Sequence, residues 1–214
     1  MAYTRGTSSD IIVGAAALFT ADSTLTPGTV PAFVSTQSYK ETLSNSTNIA
    51  AGIENVGYTS NGIEITFQPD FGEVQVDQIL DVAKLYKQGM QVTLATSFAE
   101  ATLENLLFSI AGQSDDLSGT KSSSAGRTLN LASGDIGECP VERALIAVGP
   151  GTGDCADSSS VERVYVAYRA LSIENVTVSA KRDTATMFDV TFRLLPEDNS
   201  GSYGKIIDRT IQAS

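Results

Sequence analysis

Four carboxylates, Asp70, Glu73, Asp77 and Asp81, crowd into the stretch 70–81. Paired carboxylates can run acid–base hydrolysis, and a cluster at the right spacing can hold calcium. The EF-hand spacing with its central glycine is absent, and no carboxylate is singled out as partner to another. A solvated acidic face accounts for these residues better than a site does. Asp70-Phe71-Gly72 matches the kinase triplet, but the glycine-rich loop, strand lysine and HRD motif of a kinase are missing. The chain has no histidine, which removes Ser-His-Asp and Cys-His catalysis and histidine-bearing zinc sites. Cys139 and Cys155 both sit in Gly/Ser/Asp-rich sequence and can form one disulfide or remain two inert thiols. GPGTGDC at 149–155 has the glycines of a phosphate loop without the Lys-Ser/Thr or the following helix, so a turn between strands suffices. The expectation is a protein without catalytic residues, cofactor or metal.

Charge narrows the partners. With 14 Lys and Arg against 25 Asp and Glu, the net charge is -11, which repels nucleic acid and anionic membranes. From Glu41 to Asp81 the acidic residues Glu41, Glu54, Glu64, Asp70, Glu73, Asp77 and Asp81 occur with no Lys or Arg among them. Such a block projects a coherent negative field or forms an ordinary soluble face. At 42% hydrophobic residues the 214-residue chain can bury a real core. No run is long enough for a membrane helix. The apolar run Ile11–Phe19 imitates a signal-peptide core, but Asp10 abuts it and a buried strand is expected there.

The elements that must carry these residues are mostly strands. Alternation places Ile63, Ile65 and Phe67 on one face and does the same with Met90, Val92 and Leu94. Further strands are expected at 74–76, 144–148, 161–170, 176–179 and 187–195. Breakers are read at TPGTVP near residue 30, QPDFG (68–72), 112–137, GPGTGD (149–154) and PEDNSGSYG (196–204). Segment 112–137 is long for a structureless loop, and reads either as an arm for a neighbour or as a solvated loop. One helix is expected over Ser97–Gly112. Ser97 and Glu100 fit a capping box, Leu103, Leu106, Leu107 and Ile110 form one apolar stripe, and Gly112 stops it.

The ordered combination IIVGAAALF, GIEITFQPDFGEVQVDQ, MQVTLATSF and AEATLENLLFSIAG resembles the major tail tube proteins of long-tailed bacteriophages. The resemblance covers most of the chain from about Asp10, excluding 112–137 and the cysteines. It implies a single tail tube domain over 1–214, mainly β, of β-sandwich or barrel type with one flanking helix. It also implies hexameric rings stacked into a hollow tube, with tape-measure, tail terminator and baseplate or tip proteins as partners. The location implied is the virion tail, after synthesis in the host bacterial cytoplasm. DNA would pass through the lumen without specific binding, and some of Glu64, Asp70, Glu73 and Asp77 are expected to line it. The related inner tube of a contractile tail or secretion system, and a secreted β-sandwich adhesin, are the alternatives.

Overall fold

The segment RALIAVGP carries apolar residues at almost every position, the pattern of a strand buried on both faces. In the computed structural model, which describes residues 10–78, 81–124, 126–131, 136, 139–152, 161–180 and 182–212, it forms the central strand β7 (Arg143–Pro150). Leu145 and Ala147 enter one core, while Ala144, Ile146 and Val148 enter a second on the opposite face. The alternation of a pleated strand therefore serves two cores at once.

The sheet around it is antiparallel, in the order β2 (Ile53–Asn55), β1 (Ala17–Ala21), β7, β8 (Val161–Ser172), β9 (Phe188–Leu195), β4 (Lys84–Phe98), β3 (Thr59–Val74). On the edge away from β7, β8 pairs β10 (Gly204–Thr210) through Ala167 and then β9 from Arg169. The β7–β8 register shifts between the Leu145–Ala167 and Arg143–Ala170 pairs, and such a bulge sharpens a strand's bend. The sheet thus splits at Tyr168, whose N–H donates to the Tyr203 carbonyl at 3.0 Å. The architecture is mainly β, of the sandwich or barrel type expected from the sequence.

The first core lies between the β3–β4–β9 flap and the β7–β8 centre, with Phe98, Phe108 and Phe192 in mutual contact at centroid distances of 5.1 to 6.4 Å. The second is closed by Leu25 and by the helix α1 (Tyr39–Leu43). Buried Glu162 on β8 anchors that helix: its carboxylate accepts from the Tyr39 N–H at 2.8 Å and from the Ser38 hydroxyl at 2.8 Å, and it pairs with Arg209 at 3.1 Å. A carboxylate at a helix start satisfies orphan N–H groups and suits the dipole. A further helix, α2 (Ser46–Ala50), is capped by Asn45.

Several expectations are corrected. There are three short α-helices among the described residues, not one. The helix expected over 97–112 is α3 (Leu103–Ser109), capped by Thr102. Ser97 instead belongs to β4 and hydrogen-bonds Asp189, while the Glu100 carboxylate accepts from the Tyr58 N–H at 2.9 Å. The capping box fails because the strand continues through Ser97. The α3 face that is buried includes Asn105, Phe108 and Ser109 beside Leu107, and Ile110 of the expected stripe is 41% exposed. Ala111, at φ 53°, takes the left-handed stop position expected of Gly112. The first strand begins only at Ala17, leaving Ile11 and Val13 exposed. Residues 176–179 form no strand, QPDFG runs inside β3, and PEDNSGSYG gives way to a strand, β10, that alternation did not reveal. Segment 112–137 contains a hairpin of β5 (Leu117–Gly119) and β6 (Arg127–Leu129), tied to α3 by an Arg127–Glu104 ion pair. Cys139 is an exposed free thiol, and Cys155 lies outside the described residues.

Candidate functional site

The acidic stretch singled out in the sequence is the long hairpin β3–β4. Its strands pair from Thr59–Phe98 out to Val74–Lys84, but β9 covers β4 only from Val92 to Phe98. Beyond Val92 the hairpin stands as a two-stranded ribbon, roughly 25 Å long at 3.3 Å per residue. Within it the β3 edge and the outer β4 edge both lack a strand partner among the described residues. Pro69 sits in the middle of β3, where an edge strand tolerates the missing N–H.

The two faces of this hairpin differ in chemistry. Ile63 and Ile65 pack on the first core. The opposite face carries Glu64, Thr66, Gln68 and Asp70, whose cross-strand neighbours are Ala95, Thr93, Gln91 and Gly89. It continues onto β9 as Thr191 and Arg193, because directly opposed residues share a face. This surface is polar, and Glu64 and Asp70 are exposed on it.

The four candidate carboxylates are thus divided. Glu64 and Asp70 share the polar face, the pleat puts Glu73 on the other face, and Asp77 follows the end of β3. All four are exposed. The other acids of the charge block disperse, Glu41 to α1 and Glu54 to β2. Among the described residues no group of three or more His, Cys, Asp or Glu is placed to hold a metal.

A register shift between Asp70 and Phe71 leaves Gln88 as an extra residue on β4. Past it, Tyr86 pairs with Gly72, and a Cβ on Gly72 would fall 2.5 Å from the tyrosine ring. The glycine therefore lets the ring lie across the ribbon. Large apolar side chains remain in water there, with Phe67 and Phe71 each 54% exposed and Leu85 59%. Apolar surface concentrated on a projecting element marks a contact surface.

One feature was not legible in the sequence. A cavity of about 600 Å³ opens between the ribbon and β10, lined by Met90, Val92, Leu145, Tyr165 and Ile206 together with Lys87 and Lys205. Residues from six strands, β3, β4, β7, β8, β9 and β10, meet there, so no local pattern announces it. The Tyr203 hydroxyl donates to the Met90 carbonyl at 2.5 Å and joins its two sides. The turn leading into Tyr203 is organised by Glu197, whose carboxylate accepts from the Ser200 N–H at 2.7 Å and from the Asn199 side chain at 3.0 Å. Hydrogen bonds from Ser200, joined by those from Asn199, hold the Glu197 carboxyl down at about 2.

A second, polar cavity of about 370 Å³ lies against α3, between Asp22, Glu54, Glu104 and the guanidinium groups of Arg127 and Arg143. Arg143 is held by Asp22 at 3.0 Å and lies 5.7 Å from the Phe108 ring centroid. These contacts tie α3 to the sheet.

No helix among the described residues is long and apolar enough to cross a membrane. No protein-family model matches the chain, and no curated protein matches it.

Proposed function

We propose that the chain is the structural subunit of a bacteriophage tail tube, assembling into stacked hexameric rings around a channel for DNA. The observation that carries this reading is the β3–β4 ribbon, with two edges unpaired among the described residues, one polar face and one apolar face. An exposed edge of this length is a standing invitation to aggregation unless it is covered. Pairing the β3 edge of one copy with the outer β4 edge of the next covers both. That contact is head-to-tail, and a head-to-tail contact closes into a ring when its rotation is commensurate. The ribbons then form one continuous barrel without edges.

In that barrel the apolar face packs outward on the body of the subunit, and the Glu64–Asp70 face lines the lumen. Carboxylates along the wall repel phosphates within a screening distance of about 8–10 Å, so DNA slides without adhering. Stacking of identical rings has no intrinsic end, so tape-measure, terminator and baseplate or tip proteins set the length and close the ends. Electron microscopy of the concentrated protein tests the reading by the presence of hollow six-fold rings or tubes.

A further inference from the structure

The β5–β6 hairpin stands apart from the two cores. Its strands pair with each other and with no strand of the main sheet, and no described residue of it belongs to either core cluster. The Asn130 N–H donates to the Asp116 carbonyl at 2.8 Å and closes its base, so it is a self-contained unit. Leu117, Arg127 and Leu129 form its half-buried face, while Ser118 and Thr128, directly opposed on the other face, are exposed. Both strands contact α3, and Leu117, Arg127, Glu104 and Arg143 together line the polar 370 Å³ cavity.

That seat is incompletely bonded. Among the described residues four buried side-chain atoms lack a hydrogen-bond partner, and three of them, Glu104 Oε2, Arg127 Nε and Arg143 Nε, belong to residues of this cavity. An unpaired buried polar atom is destabilising, and more so on a charged group. The Arg127–Glu104 ion pair therefore orients the closed hairpin while leaving part of each group's desolvation uncompensated. Lifting the hairpin returns both groups to water and disturbs neither core. Leu107, one turn on from Glu104 along the same helix face, is 6% exposed and shares the cavity wall with Leu117.

We propose that the β5–β6 hairpin is a releasable strap: it lifts off α3 as a unit while the rest of the chain stays folded, uncovering Leu107 and the polar cavity. The device belongs to the single folded chain and does not depend on ring formation.

Thiol trapping tests this in a chain carrying C139S and C155S. L107C places a thiol beneath the strap. A147C, combined with L107A so that both chains carry the same truncation, places one in β7 at a position 1% exposed, reached only when the whole fold opens. In native buffer the L107C thiol reacts with a disulfide reagent about tenfold faster or more, as sub-global opening requires. Adding E104L/R127L, which replaces the incompletely bonded charges with apolar groups, slows the L107C reaction about fivefold or more and leaves A147C unchanged. Where a melting curve shows that truncation at 107 unfolds the chain, L117C against A147C in an L117A background makes the same comparison from the strap's inner face. A smaller difference between the two thiols means that the hairpin opens only with the fold, and overturns the strap. An unchanged or faster reaction in the E104L/R127L chain shows that the ion pair is a clamp, and overturns it too.

Discussion

The side-chain amide of Asn105 donates to the carbonyl of Val56, 49 residues earlier in the chain, at 2.9 Å. The same nitrogen donates to the Glu100 carbonyl at 2.8 Å, and the residue is buried. Helix α3 is thereby fastened to the segment that leads into the hairpin. Asn105→Leu removes both bonds and leaves the Val56 carbonyl without its donor, while the Glu100 carbonyl keeps the Thr102 N–H at 2.9 Å, so it destabilises by about 1–3 kcal/mol. Denaturant unfolding measures the loss.

The end of α3 holds a conformational cost that can be relieved. Gly112 N–H donates to Leu107 at 3.0 Å and Ala111 N–H to Phe108 at 3.3 Å, a Schellman arrangement that leaves Ala111 left-handed at φ 53°. Glycine carries no Cβ penalty there. Ala111→Gly is expected to stabilise by about 1 kcal/mol, read as a raised denaturant midpoint.

Glu197 makes the turn beside the cleft sensitive to acid. Its carboxyl is depressed to about 2 in the folded protein, below the ordinary value of about 4.3. The stabilisation from this group is therefore complete above the ordinary value and is lost as pH falls through about 2. Glu197→Gln, which keeps an acceptor but no charge, is expected to flatten the stability profile between those limits. Thermal melts across that window compare the two proteins.

The polar hairpin face carries a direct electrostatic prediction. Glu64→Lys with Asp70→Lys leaves folding within about 0.5 kcal/mol, since both residues are exposed. Tubes built from this variant are expected to retain DNA, with a salt-dependent affinity that the parent lacks. Nuclease-protected DNA recovered with purified tubes at low and high salt is the measurement.

How much of this was legible depended on whether the signal was local. The strands at 63–67, 90–94, 161–170 and 187–195 read correctly because alternation follows the pleat, and 144–148 because a continuous apolar run marks a strand buried on both faces. Ser97 misled because a capping motif is defined over four residues, while the pairing of Ser97 with Asp189 spans the fold. Asn105 and Ser109 lie off the apolar stripe expected of the helix, yet their side chains bond to backbone carbonyls and are buried. β10 went unseen because Gly204, Lys205 and Asp208 interrupt its apolar pattern, although it pairs with β8 along its whole length. The acidic block was visible as composition, but its division between two faces of the ribbon needed the register of β3.

Cryo-electron microscopy of the assembled protein tests the central claim most directly. The account predicts a hollow six-fold tube with the ribbons joined edge to edge and Glu64, Thr66, Gln68 and Asp70 on its inner wall. A chain that stays monomeric at every concentration, even when seeded with tail tips, contradicts it, as does a tube that carries this face on its outer surface.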